Sequence, residues 1–164
     1  MKMTITKKIM NSSKTIISKI ILFFLARGIN TLYHTDDLVK YEISSWKDGI
    51  VVEIKTTDNK VNWRIKKQGN KIVRTKCEPD LSICFKSIDS LFLLTTGRLG
   101  VAKSYAQHRF MLKGEIAEAM SIVRVINIVE GNLFPKFMTK KILKEIPKRQ
   151  KSIIEIYSIL LLNI

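Results

Sequence analysis

Side chains able to act as acids, nucleophiles or metal ligands are scarce in this 164-residue chain. It has two histidines, His34 and His108, and two cysteines, Cys77 and Cys84. Neither histidine has a carboxylate and a nucleophile at a recognisable spacing, and the sequence contains no G-x-S-x-G, H-E-x-x-H or nucleotide-binding glycine pattern. The cysteines fall on neighbouring predicted strands, where two ordinary thiols are a simpler interpretation than a redox pair. We therefore predict a protein that is not an enzyme and uses no cofactor and no metal.

The elements that would position a site follow from the hydrophobic periodicity of the chain, which is 46% hydrophobic and 26% charged. A period near 3.6 residues predicts a helix over residues 5–34, and Asp36 is placed to open a short second helix. Over residues 49–86 the period changes to two, which predicts four strands in an antiparallel meander with one apolar face. Gln68-Gly69-Asn70 is a hairpin-turn signal within it.

The second half of the chain is predicted to be mainly helical. Its predicted elements are a helix capped by Ser87 and ended by Gly97, a connection from Arg98 to Gln107, a fifth strand His108–Lys113, a long helix from Gly114-Glu115 to Gly131, a basic helix over 136–146 and a last helix.

The fold class predicted from this order is α+β. It is a five-stranded, largely antiparallel sheet with helices packed on one face, and with extra N- and C-terminal helices. We divide the chain into N-terminal basic amphipathic helices (1–44), a central domain (45–131) and C-terminal basic and apolar helices (132–164).

Positive charge is concentrated at the two ends of the chain, which has 29 Lys and Arg against 14 Asp and Glu, a net charge of +15. Both ends combine cations with aliphatic clusters, a pattern that suits the headgroup–acyl boundary of a membrane. Amphipathic helices that cap the protein's own core would show the same pattern. A nucleic-acid arm is disfavoured, because such arms carry Arg, Gly, Ser or exposed stacking aromatics instead. The predicted membrane-contact residues are Lys14, Lys19, Phe23, Phe24, Lys140 and Lys141.

Neither end is predicted to span a bilayer, which requires roughly 20 mostly apolar residues. Lys19 interrupts the N-terminal apolar run and Arg27 stops it, and no small-x-small cleavage site of a secretory signal follows. We expect a cytoplasmic protein, at most peripheral on the inner face of the membrane.

Residues 80–131 carry a series of features whose order and spacing resemble the sterol carrier protein type-2 domain family. They are an Asp that opens a strand, a short helix ending in Gly followed by a basic residue, an aromatic–x–Gln stretch, a strand, and a Gly–acid turn into a long helix. Val61–Ile65 is similar to the Trp-bearing second strand of that family, and His108 stands where the family often has Gly. The matching positions are Asp80, Gly97, Arg98, Tyr105, Gln107, Gly114 and Glu115.

The resemblance implies a non-enzymatic carrier that holds a hydrophobic chain in a tunnel between sheet and helices. The implied ligands are a fatty acyl chain, a phospholipid or an isoprenoid, because the extra terminal helices look closer to bacterial stand-alone members of the family. Each buried methylene would contribute about 0.8 kcal/mol. The predicted lining is the inward-facing set Trp63, Phe85, Leu91, Leu94, Tyr105, Phe110, Leu112, Met120 and Val123.

Two other functions stay open at this point. The same fold with a filled core would suit an accessory or scaffold protein that partners enzymes of lipid or quinone metabolism. A nucleic-acid binder is suggested by net charge alone, and Trp63 and Tyr105 would be its stacking residues, although the aromatic RNA-binding signature is missing.

Overall fold

The computed structural model describes residues 2–134, 139–140 and 152–162. Lys141 and most of the predicted basic helix 136–146 lie outside these residues. The helices are α1 (Lys2–Thr35), α2 (Asp37–Ser44), α3 (Ile88–Thr95), α4 (Val101–Ala106), α5 (Ile116–Leu133) and α6 (Ile153–Leu162). The strands are β1 (Val51–Thr56), β2 (Asn62–Gln68), β3 (Lys71–Arg74), β4 (Leu81–Phe85) and β5 (Phe110–Lys113).

The predicted fold class is confirmed, since the five strands form one sheet and helices flank it. The predicted meander of β1 to β4 is wrong. The strand order is β3-β2-β1-β4-β5, so β4 leaves β3 and pairs in parallel with β1, while the other three pairings are antiparallel. Asp80 fixes this crossover, because its backbone N–H donates to the carbonyl of Val51 and its Oδ2 accepts from the N–H of Val51 at 2.8 Å.

Element boundaries differ from the predicted ones around the fifth strand. Residues 101–106 form helix α4 where the sequence predicts a connection, and β5 begins at Phe110 instead of His108. His108 has a φ of 51°, in the left-handed region, so it turns the chain between α4 and β5. Helix α5 runs past Gly131 to Leu133, and β3 ends at Arg74 instead of Cys77.

The hydrophobic core lies on the sheet face that carries the even-numbered residues of β1. Val52 and Ile54 of β1 stand beside Ile65 and Trp63 of β2 in register, and all four are buried. They join buried residues of the helices in one cluster that extends from the first helix to the last. The strands therefore place helices on one face, as alternation predicts.

Helix α1 contributes to that cluster through residues of its second half. Leu22, Ala26, Ile29 and Leu32 recur at helical spacing on one side of α1, and each is buried. This half of the helix is core packing, which was one of the two interpretations that the sequence left open for the N-terminal segment.

Hydropathy alone marks part of α1, Lys8–Thr35, as long and apolar enough to cross a membrane. In the fold, 39% of the most apolar window of this helix is buried inside the protein. The apolar character of the helix thus comes partly from residues that pack on α2, α3 and α5.

Candidate ligand-binding site

The predicted tunnel lining forms densely packed core in most of its residues. Trp63, Phe85, Leu91, Leu94 and Phe110 are buried in the main cluster, and Leu112 and Val123 pack partly buried against it. The interface of sheet and helices is thus occupied by side chains at these positions. The indole N–H of Trp63 is buried there without a hydrogen-bond partner among the described residues.

Two residues of the predicted lining do not face inwards. Tyr105 is 59% exposed and Met120 is 51% exposed. Tyr105 lies on α4, where the neighbouring Ser104 takes the buried position, and its ring meets the edge of the core only at Phe110, 5.7 Å away between centroids. Met120 follows Ala119, which is buried, and is therefore rotated by about 100° off the inward face of α5. The inward-facing orientation predicted for these two residues is therefore not found. Tyr105 was placed in a connection where the structure has helix α4, and at Met120 the inward face of α5 was assigned one residue out of phase.

An apolar cavity of about 320 Å³ lies elsewhere, between α1, α5 and α6. This volume is at the lower end of the range of small-molecule sites, roughly 300–1,000 Å³. None of the nine predicted lining residues borders it. The cavity is lined by Ile21, Phe24, Leu25, Glu130, Leu133, Phe134 and Tyr157.

The helices that form the walls of the cavity contact one another closely at Gly28 and through a hydrogen bond of Tyr157. A Cβ atom at Gly28 would lie 2.7 Å from Leu133 Cδ1 and 3.2 Å from Val129 Cγ1, so α1 and α5 approach closely there. One helical turn earlier, Phe24 and Leu25 face the cavity. Helix α6 forms the remaining wall, where Tyr157 donates its hydroxyl to the carbonyl of Leu133 at 2.8 Å.

Among the described residues that line the cavity, Glu130 carries the one carboxyl group, and it is only 6% exposed. Burial raises the pKa of its carboxyl group to about 8. Burial is the only cause of this shift, so no hydrogen bond or neighbouring charge of the described residues acts on the carboxyl group. The sequence interpretation missed Glu130, although a signal exists: Ala119, Ile126 and Glu130 follow a 7–4 spacing, which puts an acid on the apolar face of α5.

Seven exposed apolar residues form a second feature on the side of α1 that faces away from the core. They follow two adjacent lines at helical spacing, with exposures between 38% and 61%. Phe24 belongs to both features, because it also lines the cavity. We call this set the outer stripe; it consists of Ile9, Met10, Ile16, Ile17, Ile20, Phe23 and Phe24.

The predicted membrane-contact residues divide into two groups in the structure. Phe23 and Phe24 lie in the outer stripe, and Lys19 and Lys140 are exposed. Lys14 is instead paired with Asp89 at the start of α3 and lies near the Phe92 ring, so it is no longer a free cation for a membrane. Its ion pair attaches the first half of α1 to the domain.

The opposite face of the sheet has a buried carboxylate of a different kind. Glu53 is fully buried, and it accepts from Arg64 Nε at 2.7 Å, Ser82 Oγ at 2.6 Å and Lys55 Nζ at 2.8 Å. Burial raises the pKa of Glu53, but the hydrogen bonds from Lys55, Ser82 and Arg64 outweigh it and hold the pKa at about 2. Because both oxygens of the Glu53 carboxylate have partners, we interpret these four residues as a structural ion-pair network rather than a candidate site.

The substitution Glu53→Gln should lower the free energy of unfolding by about 2 kcal/mol at neutral pH, since charge-assisted hydrogen bonds are lost. The native carboxyl has the lower pKa, so its contribution is present above its ordinary pKa of 4.5 and is lost as pH falls towards about 2. Urea unfolding of both proteins at descending pH should show the difference shrinking below pH 4.5. Glu118→Gln, at a surface pair with Lys47, is the matched control and should change stability by less than about 0.5 kcal/mol. A difference in the free energy of unfolding between the two proteins that stays constant with pH would contradict the lowered pKa of Glu53.

Comparison with known proteins gives similarity at the level of solved structures. No protein-family model and no curated protein matches the chain. A structure described as UbiJ-SCP2 ubiquinone synthesis protein is 12% identical, covers 76% of this chain and 99% of its own, and has a TM-score of 0.46. Palmitated SCP2L2 from Aedes aegypti is 19% identical, with 63% and 91% coverage and a TM-score of 0.43. A possible sterol carrier protein from Thermus thermophilus, TT1886, is 15% identical, with 65% and 85% coverage and a TM-score of 0.41.

The first two are described as sterol carrier protein 2 or sterol carrier protein 2-like, and the third as a possible sterol carrier protein. That is the family that residues 80–131 resemble in sequence.

Proposed function

We propose that this chain is a non-enzymatic lipid-binding protein that takes an apolar chain from a membrane surface into the cavity between α1, α5 and α6. The observation that carries this proposal is Phe24, which lies both in the exposed outer stripe and in the cavity wall. An apolar ligand leaving a membrane at the stripe would reach the cavity without crossing a polar surface. The binding location differs from the tunnel between sheet and helices that the family resemblance implies.

The cavity has the size for part of one hydrocarbon chain. An apolar cavity of about 150 Å³ holds one benzene molecule, so the volume of about 320 Å³ corresponds to roughly twice as many carbon atoms. Burying about ten methylenes would contribute about 8 kcal/mol before the costs of ordering the ligand. A longer acyl or isoprenoid chain would extend past Phe24 towards the outer stripe.

The net charge of +15 supports a location at an anionic membrane, and we propose the cytoplasmic leaflet because it carries the anionic lipids. Lys19 is exposed on α1, the helix that carries the outer stripe. Its ammonium group would meet lipid headgroups while the apolar residues enter the acyl region.

A second candidate is an accessory protein of lipid metabolism that binds no lipid itself. The observation that favours it is the packed interface between sheet and helices, where Trp63, Phe85 and Leu91 are buried in the core. In that case the outer stripe would contact a partner enzyme instead of a lipid.

The substitution Leu25→Trp tests the cavity directly, because the larger indole fills space that a ligand would occupy. We expect at least tenfold weaker binding of cis-parinaric acid methyl ester, a linear fluorescent lipid probe, in a titration followed by its emission. Leu38→Trp, on the exposed surface of α2, is the matched control and should bind the probe as the unmodified protein does. No saturable binding to the unmodified protein would contradict the lipid-binding proposal and favour the accessory role.

A further inference from the structure

The cavity between α1, α5 and α6 contains one polar group that the apolar walls do not explain. Glu130 lies on the apolar face of α5, and Val129 and Leu133 on the same helix are also buried. The other lining residues in the described part of the chain are Ile, Leu and Phe side chains and Tyr157. The hydroxyl proton of Tyr157 is already used, since it is donated to the carbonyl of Leu133.

An acid at this position has a cost in stability that an apolar side chain would avoid. A buried polar group without a partner destabilises a protein by roughly 1–3 kcal/mol relative to a satisfied one. The backbone carbonyl of Glu130 accepts from the N–H of Phe134, but no hydrogen bond or charge of the described residues acts on its carboxyl group, whose pKa is shifted by burial alone. A partner supplied by a ligand would relieve this cost only when the cavity is occupied.

We propose that Glu130 recognises an uncharged carbonyl group on the lipid, such as that of an ester, a ketone or a quinone, by donating a hydrogen bond from its neutral carboxyl group. This inference rests on the proposed function, and it names the ligand class of the same cavity. A neutral carboxyl group has one O–H donor, and a carbonyl oxygen is an acceptor that carries no charge into the cavity.

The protonation state that this contact needs is the one that burial favours. With its pKa raised to about 8, the Glu130 carboxyl group is mostly neutral at pH 7. A free fatty acid is ionised at that pH, and it would have to bring its negative charge into an apolar cavity. Burying that charge is costly, because no cation lines the cavity among the described residues.

The geometry therefore predicts an order of preference among ligands of equal chain length. A methyl ester should bind most tightly, because it fills the cavity and satisfies Glu130. An alkane fills the cavity but leaves the carboxyl group unpartnered, and a carboxylate satisfies it only by burying a charge.

The experiment is a displacement titration on the full-length protein at pH 6.5, with cis-parinaric acid methyl ester as the bound probe. The competitors are methyl decanoate, decane and decanoate. For the unmodified protein we expect methyl decanoate to displace the probe at least tenfold more effectively than decane or decanoate.

Two variants separate recognition by Glu130 from simple filling of the cavity. Glu130→Leu removes the donor and should reduce the preference for methyl decanoate over decane to less than threefold, while decane still binds. Glu130→Gln keeps a donor in its amide group and should retain the preference. Thermal unfolding of both variants checks that they are folded, and we expect Glu130→Leu to be at least as stable as the unmodified protein, since a buried carboxyl group is removed.

A spectroscopic signature tests the hydrogen bond itself. The infrared carbonyl band of carbonyl-labelled methyl decanoate should shift to lower wavenumber when bound to the unmodified protein, and the shift should be absent with Glu130→Leu. Equal displacement by all three competitors, or a preference unchanged in Glu130→Leu, would overturn the role of Glu130 while leaving lipid binding intact. If the probe itself does not bind the unmodified protein, the proposed function fails instead.

Discussion

Replacing Gly114 by Ala should lower the free energy of unfolding by roughly 4 kcal/mol, from backbone strain of about 1–3 kcal/mol and overpacking of about 1–3 kcal/mol. Gly114 has a φ of 122°, a conformation that residues with a Cβ atom rarely adopt. A Cβ atom there would lie 2.7 Å from the carbonyl oxygen of Asp80 and 3.1 Å from Leu81 Cα. Both contacts are with backbone, which cannot move without disturbing the β1–β4 pairing that Asp80 fixes. Urea unfolding measured by circular dichroism checks this.

Gly69→Ala is the matched control for the Gly114 substitution. Gly69 also has a positive φ, of 56°, but a Cβ atom there would meet nothing within 4 Å. We expect a loss of only about 1–2 kcal/mol, the ordinary cost of a left-handed residue with a side chain. Equal losses of unfolding free energy at the two glycines would show that the positive φ alone causes the loss. The turn after β5 would then not pack tightly on the start of β4.

The faces of the sheet could be predicted from the sequence, but the pairing of its strands could not. Alternation places Val52, Ile54 and Trp63 on one face, and the structure confirms it. All four strands of the predicted meander show the same alternation, so periodicity does not determine which strands are neighbours. The contact at the start of the parallel pairing joins residues far apart in sequence, Val51 and Asp80.

Inward-facing residues could be found, whereas the location of the cavity could not. Phe85 and Leu91 are buried as their pattern indicates. A cavity, however, is the space that remains after packing, and it depends on how closely whole helices approach. Here the close contact at Gly28 and the position of Tyr157 on α6 define it. Neither feature has a local sequence signature.

Helix α1 shows why average hydropathy misleads for a helix with two apolar sides. Its buried side carries Leu22, Ile29 and Leu32, and its other side carries the outer stripe. The mean hydropathy over both sides is that of a membrane-spanning segment, yet one side is buried in the protein and the other is exposed. Lys14 was assigned to the membrane from the sequence because its partner, Asp89, is 75 residues away along the chain.

Placing glutamates in the outer stripe, with Ile20→Glu and Phe23→Glu combined, should weaken binding to anionic vesicles at least a hundredfold. Each of these side chains would contribute roughly 1.5–3 kcal/mol when it is buried in the acyl region. Each added carboxylate is also repelled by the negative surface of the membrane. Because both residues are exposed, the variant should keep the stability of the unmodified protein. Co-sedimentation with vesicles of two parts phosphatidylcholine and one part phosphatidylglycerol measures the effect.

The matched control for this variant is the pair Ile116→Glu and Met120→Glu, which adds the same charges to exposed apolar residues of α5. We expect it to change vesicle binding by less than about threefold, an allowance for the smaller net charge. Raising the salt concentration should weaken binding of the unmodified protein only moderately, since screening reduces the attraction of its cations but leaves apolar insertion unchanged. Equal losses in the two double variants would contradict the outer stripe as the membrane contact and would assign vesicle binding to net charge alone. If the stripe variant instead binds vesicles normally but loses a self-association that the unmodified protein shows in sedimentation equilibrium, the stripe covers a protein interface and the lipid must enter the cavity from elsewhere.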